Sequence, residues 1–385
     1  MTTPVEMSRD RFDPSPALRE LAGQPGLPRF TSVFGPARLA VRHEDVRAVY
    51  GNSVEFSNGA QTRLQGTESA DVGFILGYDP PEHTRLRRMI APEFTLRRMR
   101  AIQPRIVTIV DSALDALAAA GPGADLVSTF ALPVPSLVIC ELLGVPYEDR
   151  DRFQLLTTRQ LDFAVPLEER NQVGQEVAEY LRELVSRHQA SPGDDLIGEL
   201  IRLYGADLSF AELVGVSHML LIAGHETTSN MLGLGSLLLL ENPAQLAVMR
   251  DSPDAVEGAV EELLRYLSVV HFGLPREVVA EVTVGGDTLS VGELVVCSIV
   301  LANRDAAVVD DPDRLDLTRR ATPHLAFGHG IHHCVGAPLA RLEMAIAFPA
   351  LLRRFPTLRL AVPAAEIPFH TTGPVYGVQS LPVAW

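Results

Sequence analysis

Cys334 stands where a glycine-bearing loop meets an apolar run: Phe327-Gly328-His329-Gly330-Ile331-His332-His333-Cys334-Val335-Gly336, then Ala337-Pro338-Leu339-Ala340-Arg341-Leu342-Glu343. The run from Ala337 to Phe355 predicts a helix. Its start places the sulfur near unpaired N–H groups and the positive end of the dipole, a position that favours thiolate. Gly328, Gly330 and Gly336 permit the unusual dihedrals and close approach needed where a flat, bulky group lies against a loop. Free cysteines are usually buried and structural, but the spacing around this one points to a ligand. Zinc is the competing metal for Cys334 with His329, His332 and His333. Cys140 and Cys297 stand alone, so the sequence offers no second cluster with zinc-ligand spacing.

A second chemical stretch lies inside Ser209 to Glu241. Its flanks are almost wholly apolar, yet its middle reads Ala223-Gly224-His225-Glu226-Thr227-Thr228-Ser229-Asn230. A carboxylate beside a hydroxyl in an apolar helix can pass protons, and the hydroxyl can bond back to a carbonyl and open a groove. This assigns proton delivery to Glu226 and Thr227, and Gly224 leaves room beside them. A His-Glu-x-x-His zinc motif fails because Ser229 stands at its last position. Polar residues at the midpoint would be costly in lipid, so the stretch predicts a long helix through the centre of a protein.

Further candidates are paired by spacing. His83 and Arg87 are four apart and share a helical face, with the helix starting at Asp79-Pro80-Pro81-Glu82. Six arginines fall between Arg85 and Arg100 in a chain whose net charge is −15, forming either a solvated face or a site for an acidic partner. Glu262 and Arg265 are an i, i+3 pair, common on any helix.

The elements that must position these residues are mostly helical: Ile102 to Ala120, Val127 to Leu143, Asp149 to Asp162, Leu167 to His188 and Asp194 to Tyr204. Phe30–Val33 and Arg38–Val41 predict a hairpin, His43 to Tyr50 a short helix, Asn58 to Tyr78 a long loop, and Val269 to Val300 sheet. No linker or repeat divides the 385 residues, so one domain, 1–385, is expected. The acidic balance argues against nucleic acid and anionic membranes as partners. All 33 basic residues are arginine, which implies a GC-rich coding sequence. Three scattered cysteines and an N-terminus without the apolar core of a signal peptide predict a cytoplasmic location.

Phe-x-x-Gly-x-His-x-Cys-x-Gly at 327–336, Ala-Gly-His-Glu-Thr-Thr at 223–228, Glu-x-x-Arg at 262–265 and His-x-x-x-Arg at 83–87 follow in an order that resembles the cytochrome P-450 family. The resemblance covers nearly the whole chain. It implies a mainly α fold, with a large helical domain and a small β-rich portion, holding heme b. Cys334 would be the axial iron ligand, with Phe327 beside it and the Gly336 loop backbone tuning the sulfur. His83, Arg87, Arg276 and His332 would bind the two heme carboxylates. Glu262, Arg265 and Arg319 (or, second, Arg314) would brace the cysteine loop.

The implied activity is monooxygenation, inserting oxygen into a C–H or C=C bond of a lipophilic metabolite, with a polyketide macrolactone the leading expectation. Alternatives are peroxide-driven oxidation or C–C/C–O coupling, and a non-catalytic heme sensor. Electrons would come from a separate ferredoxin and reductase, docking on exposed arginines between Arg85 and Arg100. The expected substrate pocket draws on Leu220, Ala223, Gly224, Val270, His271 and Val375, on Leu167 and the 58–78 loop, and on Thr371 and Thr372 as polar anchors.

Overall fold

The computed structural model of the chain describes residues 4–59, 72–161, 166–320, 322–370 and 373–385. At its centre runs the 32-residue helix Phe210–Glu241, opened by a capping box in which Ser209 and Glu212 satisfy each other's backbone N–H groups. Its C-terminal half is apolar on every side, and Met231, Leu232, Leu234, Leu237, Leu238 and Leu239 are all buried. A helix apolar all round must be enclosed, and here the enclosing helices are Pro133–Leu143, Leu167–Ala190 and Ala337–Arg354. Gly235 permits the last of these to come close: a Cβ there would lie 2.6 Å from the Phe348 ring. Among the described residues no single helix is long and apolar enough to cross a membrane.

The β-rich portion is a five-stranded sheet in the order Arg29–Ser32, Gly35–Ala40, Leu294–Cys297, Arg276–Val278, Phe56–Ser57. Gly35–Ala40 runs parallel to Leu294–Cys297, with Arg38 opposite Val295, and the remaining pairs are antiparallel. The hairpin expected around Gly35 is its outer pair.

Two expectations are corrected in detail. Val127 to Leu143 is not one α-helix: a π-helical turn, Val127–Ala131, precedes Pro133–Leu143. Pro133 and Pro135 supply no N–H groups to the preceding carbonyls, so the α ladder breaks and the Leu132 N–H reaches back to Val127 O at 2.9 Å. Val269 to Val300 is not continuous sheet. Before Arg276 it holds only isolated bridges, Val270 to Val375 and Phe272 to Ser298, and after Cys297 it turns into the short helix Ile299–Ala302, capped by Ser298.

Candidate active site

The loop bearing Cys334 is fastened by its own backbone: the Cys334 N–H donates to Phe327 O at 2.9 Å, and Gly328 N–H to Leu325 O at 2.8 Å. Gly328 and Gly330 have φ of 71° and 72°, the left-handed region that glycine enters without strain. Gly330 is also pressed against the Tyr50 carbonyl, where no side chain fits. Burial pushes the Cys334 pKa up, and the N–H groups of Gly336 and Ala337 with the charges of Arg87 and Arg341 offset this only in part. Coordination to a metal favours the thiolate form of such a sulfur.

A cavity of about 280 Å³ lies over this sulfur. Its walls include Phe327, Cys334 and Gly336 from the loop, Leu220, Ala223, Gly224 and Thr227 from the central helix, and Val270, Arg87 and His332. The nearest atom to a Cβ built on Gly336 would be Cys334 Sγ, 3.9 Å away, so that glycine keeps a face open beside the sulfur. Thr227 Oγ1 donates to Ala223 O at 2.7 Å, the back-bond that loosens this turn of the helix. Glu226 neighbours Thr227 but is not part of the cavity wall. Gly224 serves packing as well as space, because a Cβ there would meet Ile139 Cδ1 at 3.1 Å.

A second, outer chamber of about 530 Å³ is walled by Met7, Val33, Phe34, Phe272, Leu274 and Pro374, and it shares Leu76, Val270 and His332 with the inner one. The expected pocket positions His271 and Val375 line neither chamber. Successive side chains of an extended segment point to opposite sides, so Val270 faces the chambers while His271 is buried against Tyr376, ring centroids 5.4 Å apart. Val375 is buried opposite Val270 in the bridge. Thr371, Thr372 and residues 60–71 lie outside the described residues, as does the side chain of Leu167.

His83, His332, Arg87 and Arg276 converge at the cavity edge. The two imidazole centroids are 4.2 Å apart, and His83 Nδ1 and His332 Nε2 are buried without a hydrogen-bond partner. Arg87 donates to His333 O at 2.6 Å and Arg276 to Leu274 O at 2.9 Å. Neither guanidinium has a carboxylate within ion-pair distance among the described residues. Desolvation, reinforced by the neighbouring His83, Arg276 and Arg87, drives the His332 pKa down to about 3. Buried donors and cations without anions are costly, and this set fits a group that brings two carboxylates.

Beneath the loop, Glu262 and Arg265 are fully enclosed and joined by two bonds of 2.7 and 2.8 Å. Arg319 Nε reaches Glu262 Oε1 at 3.2 Å, whereas the exposed Arg314 side chain pairs with Asp311 and Asp316. Arg265 also donates to Asn303 O at 2.9 Å, and Asn303 Oδ1 accepts the Leu325 N–H at 2.6 Å. The ion pair is thus wired to the start of the cysteine loop. Among the described residues no group of three or more His, Cys, Asp or Glu side chains could hold a metal ion.

Residues 19–359 match the Cytochrome P450 family. The chain belongs to that family. It is 43% identical over 393 residues to Cytochrome P450 FAS1 of Rhodococcoides fascians, covering 99% of this chain and 98% of that one. It is 42% identical over 380 residues to a vitamin D3 dihydroxylase of Streptomyces griseolus, covering 95% and 92%. Among solved structures it resembles OxyC, a cytochrome P450 implicated in an oxidative C–C coupling reaction during vancomycin biosynthesis, with a TM-score of 0.92 and 39% identity over 98% of this chain and 96% of that one. The cofactor of this P450 is heme b, and the enzyme is an oxidoreductase of the monooxygenase family.

Sequence reasoning missed three residues of this P450's site. Glu343 lines the inner cavity with an unpartnered, buried Oε2, and burial raises its pKa well above the carboxylate range. Its place on the helix nine residues after Cys334 was visible, but not which way it faced. Tyr50 lies with its ring 4.8 Å from the Arg276 guanidinium and its hydroxyl accepting the Gly273 N–H at 3.0 Å. Glu261 was hidden beside the more conspicuous Glu262.

Proposed function

We propose that this P450 inserts one oxygen atom of dioxygen into a C–H or C=C bond of a lipophilic secondary metabolite of polyketide type, in the cytoplasm, with electrons from a separate ferredoxin and reductase. The observation that carries this is Thr227 with its back-bonded hydroxyl in the same cavity wall as Cys334. Heme b, when bound, supplies the iron that activates dioxygen, with Cys334 Sγ as its ligand. His83, Arg87, Arg276 and His332 hold its carboxylates by charge-assisted bonds. Thr227 Oγ1, able to turn from Ala223 O, donates a proton into the cavity, and Glu226 resupplies it from the neighbouring position.

Leu76, Leu220, Ala223, Val269 and Val270 exclude water and seat an apolar substrate. For the donor, the cluster of arginines narrows. Arg85 is tied to Glu212 and Arg98 to Glu93 and Glu199, leaving the exposed Arg88, Arg97 and Arg100 to attract an acidic ferredoxin.

A second reading, oxidative C–C coupling, is favoured by the likeness to OxyC. Turnover of candidate metabolites under ¹⁸O₂ separates the two. Products gaining one labelled oxygen support insertion, and products losing two hydrogens without label support coupling. Cys334→Ser is expected to abolish the thiolate-type carbonyl spectrum, and an unchanged spectrum refutes its assignment as iron ligand.

A further inference from the structure

The Phe327 ring, which lines the same cavity as Cys334, is flanked by two groups that converge on a single carboxylate. Glu261 Oε1 accepts from Arg341 Nε at 2.6 Å, and Oε2 accepts from Arg341 Nη2 at 2.9 Å. His324 Nε2 lies 3.0 Å from the same Oε2. Because His324 Nδ1 accepts the Ala326 N–H at 3.2 Å, its ring proton sits on Nε2 and points at Glu261. The Arg341 guanidinium lies 4.5 Å over the centre of the Phe327 ring, and the His324 ring centroid is 6.2 Å from it. Three elements meet here: the helix Val256–Leu267, the loop leading to Cys334, and the helix Ala337–Arg354.

Consecutive glutamates therefore do different work, Glu262 bonding to Arg265 and Arg319, and Glu261 to Arg341 and His324. Burial alone would raise the Glu261 pKa, but the bonds from His324 and Arg341 hold it at about 2, so it is an anion at any working pH. Arg341 is one of the charges that act on the Cys334 sulfur.

We infer that Glu261 is a positioning residue that sets the reduction potential of the iron site by cancelling the Arg341 charge held over Phe327. The inference rests on Cys334 as the iron ligand. A cation left uncancelled near the sulfur favours the arriving electron, and an anion left uncancelled opposes it. The two halves of the pair therefore act with opposite sign, which a packing role does not produce.

The test is an equilibrium titration of the heme-loaded protein with dithionite and mediators, taking ferric to ferrous iron by one electron. Glu261→Gln is expected to raise the ferrous-to-ferric ratio at a given potential by on the order of tenfold, which is ~59 mV for one electron. Arg341→Gln lowers it by a similar factor, and the double variant returns to about the wild-type value. Arg341→Lys keeps the charge but loses the planar ring contact, and is expected to stay near wild type. Single variants that shift the same way or do not shift, or Arg341→Lys moving as far as Arg341→Gln, overturn the inference. A wild-type carbonyl spectrum without thiolate character would instead mark the failure of Cys334 as ligand.

Discussion

Glu262→Ala leaves a guanidinium with no anion in a place that excludes water. Arg265 is 0% exposed and Glu262 3%, and arginine keeps its charge in any protein environment. The substitution removes both bonds from Arg265, at 2.7 and 2.8 Å, and strands the Asp316 N–H and Arg319 Nε that share Glu262 Oε1. Breaking one side of such a buried pair costs about 3–5 kcal/mol, a large share of a typical folding stability of ~5–15 kcal/mol. Glu262→Gln, which keeps an acceptor oxygen, costs less.

A double variant, Glu262→Gln with Arg265→Met, removes the buried cation and recovers only part of the loss. Asn303 O and Pro312 O, each 2.9 Å from Arg265, then lose their donor, at ~1–3 kcal/mol apiece. Urea unfolding followed by circular dichroism, and by the single tryptophan, Trp385, which packs 4.4 Å from Phe355, measures all three. Because Asn303 also holds Leu325, the carbonyl spectrum of Glu262→Ala should lose thiolate character in parallel with stability. A loss under ~1 kcal/mol with an intact spectrum would refute the view that this pair supports the loop.

Thr227→Ala is expected to leave folding nearly unchanged, at a cost of ~1 kcal/mol, while electron consumption continues and is diverted from product to peroxide. Coupling retained at wild-type level would exclude Thr227 from proton delivery. For pH dependence, His188 bonds to Asp195 Oδ2 at 2.8 Å and to Leu184 O at 2.9 Å, and chiefly the Asp195 bond raises its pKa above 6.5. A raised histidine pKa gives stability that is complete below the unfolded value and is lost as pH rises through the folded one. The unfolding midpoint should therefore fall from pH 6 towards pH 8, and Asp195→Asn, still able to cap the helix Leu196–Tyr204, should flatten that slope.

What could be read from the sequence was what is local in it. Cys334 with its glycines, Glu226 beside Thr227, His83 four residues before Arg87, and the long apolar run around Ala223 all carry their meaning within one or two turns, where spacing alone places side chains. Arg319 could be chosen over Arg314 only through a family pattern, because a loop of turns gives no period to count. His271 was misplaced for the same reason: an isolated bridge carries no strand signal to say which way alternate residues face. The contacts of Glu261 cross 63 residues to His324 and 80 to Arg341, and no local pattern reports such pairings.

The outer chamber has a practical consequence for anyone handling this P450. Its wall joins Met7, from the start of the described chain, to Pro374, near its end, and the N-terminal segment is tethered by Arg9, which donates to Leu267 O at 2.8 Å and Phe12 O at 3.0 Å. Trimming that segment, or crowding it with a fused tag, is expected to alter this outer wall while leaving the residues around Cys334 in place. Versions of the protein that differ only at their ends should therefore be compared with the same substrate panel before a difference in selectivity is credited to the inner cavity.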